Sequence, residues 1–377
     1  MSFKKSLAAL AVLSTAAGFA AAANVSVYGY VDEALLYTYD KTTGKASENN
    51  FGLESGINYP SRFGLKGSEE LGNGLTVSFK LENGFSADDG TLSQNGRLFG
   101  REASLTVSGD FGAVSFGRMG GVGSSCGTYD LVYGFADAFD GFDFEIGGLA
   151  ISDRYDNMVT YQTPKFAGVQ GTFQYSFNQD TKAYYGANRE GSGAVDRYAS
   201  AAVTGEFGNL NLIAAYEFQN YSTTAHDYSA GADDGHTVYI GGNYNCGFAT
   251  TYVMAQYFKG LQDLSSISVR GDEAPNEDVT NGAESLKGWG LHLGTNFDAL
   301  AGNWTVGLYY VDAEEETAVK NYDIEYIGAG VRYSYALSKR TSIYAGAGAS
   351  QLKYDNADSE NVKKKYGQAY LGLTHGF

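Results

Sequence analysis

Ser61 to Phe85 reads SRFGLKGSEELGNGLTVSFKLENGF. From Leu75 onward it alternates, with Leu75, Val77, Phe79 and Leu81 on one parity and Thr76, Ser78, Lys80 and Glu82 on the other. A strand sends successive side chains to opposite faces, so this stretch has one apolar wall and one wall carrying full charges. In a soluble sandwich the apolar wall is the core. In a transmembrane barrel it meets lipid, and the charges meet a watery lumen.

The start of the chain separates these cases in part. MSFKKSLAALAVLSTAAGFAAAA combines a basic start at Lys4 and Lys5, an apolar stretch and a small-residue end. Residues 1–23 are therefore expected to be a secretory signal peptide, with Ala21 and Ala23 placing cleavage before Asn24. After it, no apolar run approaches the roughly 18 residues of a spanning helix. An exported chain of this kind is either soluble or crosses a membrane as strands, since a bilayer interior accepts only helices and closed barrels.

Composition narrows the choice without closing it. The chain has 30 Tyr and 22 Phe, and it has 51 Gly against only 3 Pro. Tyrosine suits the interfacial girdles of a barrel and glycine suits turns and crowded lumen walls, although soluble β proteins use both. The mean hydropathy of -0.26 fits a barrel as well, because only alternate residues of each strand need face lipid. Cys126 and Cys246, far apart in sequence, form no disulfide framework and are expected to be unpaired.

The same alternation recurs along the chain. In VQGTFQYSFN, Val169, Phe173, Tyr175 and Phe177 oppose Gln170, Thr172, Gln174, Ser176 and Asn178. Leu210, Leu212, Ala214, Tyr216 and Phe218 oppose Asn211, Glu217 and Gln219, and Ile343, Ala345, Ala347 and Ala349 oppose Ser342, Gly346, Gly348 and Ser350. Sixteen candidate strands begin near residues 24, 57, 75, 97, 112, 158, 169, 197, 209, 236, 248, 286, 302, 323, 340 and 367. Short connections such as EELGNG, GDFG, GEFGN and NCG take turns with long ones around 40–56, 86–96, 120–157, 179–196, 220–235, 260–285, 312–322 and 355–366. Tight hairpins at one rim and long loops at the other are the habit of outer-membrane barrels. The expected fold for residues 24–377 is all-β, a 16-stranded antiparallel transmembrane β-barrel with short periplasmic turns and long extracellular loops.

At this point the residues resemble a known family, the trimeric general porins of Gram-negative outer membranes, and within it the branch of Neisseria, Bordetella and Burkholderia relatives. SRFGLKGSEELGNGLTVSFKLENGF is similar to that branch's second and third strands, and REASLTVSGDFGAVSFGR to its fourth and fifth. YLGLTHGF, ending at Phe377, resembles its closing strand, whose terminal aromatic is read by the barrel-assembly machinery. The resemblance implies a passive channel for ions and small hydrophilic solutes, a homotrimer with its interface on the early strands, and surroundings of outer-membrane lipid and lipopolysaccharide. It implies no cofactor.

In that family the third long loop folds inward and narrows the pore, facing arginines on the wall. Here the loop spans residues 120–157. By resemblance, Arg62 and Arg154 match wall arginines, and parity agrees: Arg62 falls with Gly64 and Lys66, Arg154 with Thr160 and Gln162. Arg101 matches a third, but parity sets it with Ala103, Leu105 and Val107 on the apolar face. Either that strand faces the trimer interface or Arg101 lies above the lipid zone. Tyr30 stands where several relatives carry a basic residue. If the loop folds inward, Asp137, Asp140, Asp143 and Glu145 meet the arginines across water and create a transverse field. Lys80 and Glu82 then line water and need no buried partner. The formal charge of -17 becomes -19 without Lys4 and Lys5, and with the four loop carboxylates facing the arginines a weak cation preference is expected; distant charges are screened beyond a Debye length of about 8 Å in physiological salt, so the preference should strengthen as salt is diluted.

Chemistry finds little support. His226, His236, His292 and His375 stand beside no recognisable nucleophile or metal-spacing motif. The segment AHDYSAGADDGH crowds His226, Asp227, Asp233, Asp234 and His236, and reads as a solvated acidic loop. No glycine-rich phosphate loop is found, and a net charge of -17 repels nucleic acid. Two alternatives to a diffusion channel remain. A barrel lipase needs a membrane-edge Ser and His pair, and a secreted soluble binding module would leave the cell without detergent.

Overall fold

A computed structural model describes residues 24–140, 146–147, 149–181, 195–221, 234–261, 264, 285–316, 321–355 and 361–377. The leader 1–23, Asp143, Glu145, His226, Asp227 and Asp233 lie outside the described residues.

The strands are β1 (Ser26–Thr42), β2 (Glu48–Ser55), β3 (Arg62–Gly72), β4 (Leu75–Gly84), β5 (Glu102–Gly109), β6 (Gly112–Gly120), β7 (Arg154–Gln162), β8 (Val169–Ser176) and β9 (Arg197–Phe207). They continue as β10 (Leu210–Asn220), β11 (Gly235–Asn245), β12 (Ala249–Leu261), β13 (Ser285–Ala299), β14 (Gly302–Glu316), β15 (Tyr322–Ala336), β16 (Thr341–Asp355) and β17 (Val362–Gly376). A one-turn helix, α1 (Val132–Ala136), lies between β6 and β7. Each strand pairs antiparallel with its neighbour, and β17 returns to β1 from Tyr30↔Gly376 to Thr42↔Lys364. Backbone bonds between Gly29 and Phe377, of 3.0 and 3.2 Å, finish the seam. A closed sheet has no open edge to satisfy.

Both β2 and β3 pair with β1, through Glu33↔Ser55 and Tyr30↔Arg62. They are two halves of one stave, so seventeen ladder segments make sixteen staves, the number expected. Between them Gly56 to Ser61 leaves the ladder. Asp32 holds this excursion: its amide donates to the Ser61 hydroxyl at 3.0 Å, its carbonyl accepts the Gly56 amide at 3.0 Å, and its carboxylate accepts the Asn58 amide at 3.2 Å. Ile57 is buried with Ala34, Leu36, Tyr344 and Tyr370.

The two walls answer the question raised by Leu75 to Glu82. One cross-strand row runs Phe79, Leu105, Phe116, Val159, and Leu105 and Phe116 are 50% and 46% exposed. The opposite parity holds Thr160, Gln174, Ser200, Thr204, Glu217, Thr237, Gln256 and His292, all buried. Apolar outside and polar inside is the reverse of a soluble core, and it belongs to a barrel in lipid.

The tight turns follow local chemistry. Asn73 and Gly74, with φ of 51° and 75°, join β3 to β4, the left-handed pair that a two-residue hairpin demands. Strand ends differ from expectation where the chain rises clear of the apolar band. The segment 40–56, expected as a loop, is partly strand in β1 and β2, and β14 and β16 run to Glu316 and Asp355. Above the band both faces of a strand are wet, so hydropathy alternation disappears while the hydrogen-bonded ladder continues.

Candidate functional site

The chain leaves β6 into the lumen, and the loop neck closes on itself: the Gly121 amide donates to the Asp153 carbonyl and the Ser152 amide to the Gly123 carbonyl, both at 3.0 Å. Beyond the neck the loop lies against the inner wall. Val132, Tyr133, Ala136, Phe139, Ile146 and Leu149 share one buried cluster with the wall residues Tyr239, Met254, Phe258, Tyr309, Val311 and Tyr326. Wall glycines make room: a Cβ on Gly241 would stand 2.7 Å from the Ala136 Cβ, and one on Gly294 2.5 Å from that of Ala138.

Polar wall residues fasten the loop backbone, as buried amides require. Glu217 accepts from the Gly123 amide at 2.9 Å and from Tyr239 at 2.6 Å, and it also accepts from Tyr198. Gln256 accepts the Ala150 amide at 2.9 Å and donates to the Ala150 carbonyl at 3.1 Å. Asn243 donates to the Phe135 carbonyl at 2.7 Å, and the Ala138 amide donates to His292 Nε2 at 3.1 Å. Tyr326 donates to the Ile146 carbonyl.

The predicted acidic residues separate. Asp137 is buried against the wall, where its Oδ1 accepts the Phe139 amide at 2.7 Å and the Tyr309 hydroxyl at 3.3 Å. Alternation says nothing of a loop, and α1 turns Asp137 outward onto β13 and β14 and away from the channel. Asp140, with φ of 57°, is open to the lumen and shares a hydrogen bond with Asp130. Crowding by protein and the charge of Asp137 push the Asp140 carboxyl up to about 6, against the opposing pull of Asp130, Arg332 and Arg62.

The arginines gather, with one exception in detail. Arg62 lies 4.9 Å above the Tyr30 ring, and Tyr59 stacks on Tyr30 at 5.3 Å. Arg101 feels both Arg154 and Arg62 as neighbouring charges. Its side chain is buried and its Nε donates to Glu82 Oε1 at 2.7 Å. The parity conflict at Arg101 disappears because β5 begins only at Glu102, so strand alternation does not reach position 101. Arg154 needs the opposite correction. The ladder slips between Gly117 and Met119, and Asn157 opposite has a φ of 51°, so a bulge breaks the parity that ties Arg154 to Thr160.

Lys80 and Glu82 do not simply line water. Lys80 donates to Glu102 at 2.8 Å, while Glu82 is 4% exposed and accepts from Arg101 and from Tyr28 at 2.8 Å. Thr128, entering from the loop, donates to Glu102 at 2.7 Å. The loop neck and the turn at Arg101 cover this corner and force its charges to pair. Sequence reading missed Arg332, whose Cζ stands 5.0 Å from the Phe139 ring centroid beside the loop tip. Its inward parity with Gly328 and Gly330 was readable, since Tyr326, Gly328 and Gly330 are buried while Ile327 and Ala329 are exposed. Among the described residues neither Arg62 nor Arg332 has a carboxylate at ion-pair distance. Cys126 is buried and Cys246 exposed, both free.

A closed barrel with a polar interior, an apolar exterior and a loop held inside is a transmembrane channel of the outer-membrane type. Over residues 8–377 the sequence matches the family model described as Gram-negative porin. The chain belongs to that family, and is an outer-membrane porin channel. It is 29% identical over 371 residues to an outer membrane porin protein of Bordetella pertussis, covering 91% of this chain and 93% of that one. It is also 29% identical over 367 residues to outer membrane porin protein 32 of Delftia acidovorans, covering 96% and 93%. An anion-selective porin from Comamonas acidovorans has the same fold at 22% identity, with a TM-score of 0.63 over 94% of this chain and 100% of that one.

Proposed function

We propose that the third loop, together with Arg62, Arg101, Arg154 and Arg332, narrows the lumen and selects small hydrophilic solutes by size and by charge, with a preference for anions. The observation that carries this reading is the fastening of the loop to β10–β15 while Arg62 and Arg332 stand without carboxylate partners among the described residues. The cation preference drawn from sequence rested on the formal charge of -19 and on Asp137, Asp140, Asp143 and Glu145 all facing the arginines, with Tyr30 adding no positive charge. With Asp137 buried, Asp140 sharing a hydrogen bond with Asp130, and Arg332 added, the charge balance of the described groups turns positive. Asp143 and Glu145 are not in this count. The Comamonas neighbour, an anion-selective porin, agrees in sign.

Solutes cross by diffusion, with wall polarity replacing part of their hydration. The assembly is a homotrimer, consistent with the trimer form named for OmpT of Vibrio cholerae. The early strands form its interface, the short turns face the periplasm, the long loops face outward, and Phe377 serves the assembly machinery after removal of residues 1–23. Single-channel conductance with reversal potentials in a potassium chloride gradient tests the central reading. A chloride preference is expected. A potassium preference at every salt concentration would overturn it.

A further inference from the structure

We propose that His292 seats the third loop as a proton-controlled switch, holding the loop tip on the wall while its ring is neutral and releasing the tip into the lumen when the ring takes up a proton. The inference rests on the reading that this loop narrows the lumen, and adds regulation to it.

His292 is 1% exposed and stands on β13 with Gly290 and Gly294 as its inward neighbours. The Ala138 amide donates to its Nε2 at 3.1 Å. That bond fixes the protonation state, because an N–H can donate only to a nitrogen with a lone pair: the imidazole is neutral and its proton sits on Nδ1. The Leu308 carbonyl draws that proton, although no hydrogen bond of normal geometry forms at Nδ1. Tyr309 stacks on the ring at 4.5 Å between centroids and fixes its plane.

A second partner is already in place. Asp137 Oδ1 lies 3.9 Å from Nε2, with both side chains fully buried. Oδ1 accepts from the Phe139 amide and the Tyr309 hydroxyl, while Asp137 Oδ2 is buried without a hydrogen-bond partner. A buried carboxylate oxygen left over beside a histidine is what an imidazolium would satisfy. Acid therefore reverses the seat. Once Nε2 carries a proton, two donors meet and the bond to Ala138 is lost; the carboxylate of Asp137 needs to approach by only about 1 Å to make a charge-assisted bond with the ring. That movement draws Asp137 off the Phe139 amide. The amides of Ala138 and Phe139 then lack acceptors, and a buried amide must find one. Water in the lumen supplies it, so the tip moves inward with Phe139 and Asp140 and the passage narrows.

Asp137 is the one charged group at ion-pair distance of the ring among the described residues, with Tyr309 facing it from β14 and the uncharged Met254 from β12. Farther out, Asp130, Tyr133 and Asp140 of the loop and Tyr252 of β12 feel the charge of Asp137, and Arg332 of β15 reaches the tip at Phe139. Histidine is the side chain whose ordinary titration falls between about pH 5 and 8. The Asp130 and Asp140 pair can titrate beside it, and Asp143 and Glu145 lie outside the described residues, so the test removes each pair.

The test records the full-length channel in planar bilayers at one salt concentration from pH 7.5 to pH 4.5, with heat-modifiable mobility confirming that each variant is folded. One proton predicts closures about tenfold more frequent for each pH unit of acidification above the midpoint. H292Q offers the Ala138 amide an oxygen and takes up no proton in this range, so it should show no such rise. D137N removes the charge that favours the protonated ring and should lower the midpoint by about one pH unit or more. D130N/D140N and D143N/E145Q should keep the rise. Nitrogen NMR of isotope-labelled histidine, with H292Q identifying the signal, should show a ring protonated on Nδ1 at pH 7.5 that gains its second proton at the closure midpoint. Closures that rise equally in H292Q, closures abolished by either acidic pair, a ring protonated on Nε2 at pH 7.5, or constant conductance while His292 gains its proton would each overturn the proposal. Whether the loop narrows the lumen is decided separately, by the conductance at neutral pH of a channel lacking Tyr129 to Asp143.

Discussion

The Glu217 carboxylate accepts the Gly123 amide at 2.9 Å, so the third loop is pinned to β10 within three residues of leaving β6. The same carboxylate holds Tyr198 and Tyr239 on either side. One buried acid therefore sets both the position of the loop neck and the packing of two tyrosines beneath it.

Removing that acid should loosen the loop while leaving the barrel. Glu217→Ala strands a buried amide and two hydroxyls, each costing about 1–3 kcal/mol when unsatisfied. Single-channel recordings should show larger current noise and faster closures, with the folded band on unheated gels retained. Glu217→Gln keeps one acceptor oxygen and turns an NH2 donor toward the remaining partner, so it should be intermediate.

Selectivity should divide the two neighbouring aspartates. Asp137→Asn changes a group turned into the wall and is expected to leave the reversal potential nearly unmoved. Asp140→Asn should push it toward anions, and Arg62→Ser or Arg332→Ser should push it toward cations by a comparable amount. Equal effects of the two aspartate changes would mean that Asp137 faces the channel.

Acidification should strengthen the anion preference. The Asp140 carboxyl is raised to about 6, so it carries its charge above that pH and loses it as pH falls through it. Reversal potentials measured from pH 7.5 to pH 4.5 should drift toward the chloride limit with a midpoint near 6. Asp140→Asn should flatten the curve.

Deleting Tyr129 to Asp143 removes α1 and the loop tip while leaving the Glu217 anchor. Conductance should rise and bulkier sugars should enter in liposome-swelling assays. Unchanged exclusion would place the narrowest point elsewhere.

The exposed Cys246, in the short turn between β11 and β12, reports sidedness because Cys126 is buried. A thiol reagent too large for the pore should label Cys246 in disrupted cells and leave intact cells unlabelled.

The barrel was legible because its rule is local. Leu75 to Glu82 shows two walls without any knowledge of its neighbours, and the stave count follows from repeating that reading. The site was only partly legible. Arg62 is the first residue of β3 and already in register with Tyr30 and Gly84, so alternation reaches it. Arg101 precedes its strand and Arg154 lies beyond a bulge, and at both places alternation stops carrying information. Asp137 belongs to a loop whose orientation is decided by β13 and β14, more than 150 residues away by the span of the Ala138 to His292 bond. Arg332 carried a clear parity signal in a strand that offered no motif to draw attention to it.

The interruption between β2 and β3 bears on how this wall tolerates change. Between Tyr30 and Glu33 β1 advances by three positions while the second stave, from Ser55 to Arg62, advances by seven, so four residues are absorbed inside the Asp32 cluster. Below that point the pairing of Arg62 with Tyr30 is set afresh, whatever length of chain arrives from above. The stave behaves as a wall with an expansion joint. Insertions and deletions above the joint can be absorbed there without shifting Arg62 out of the lumen by even one residue.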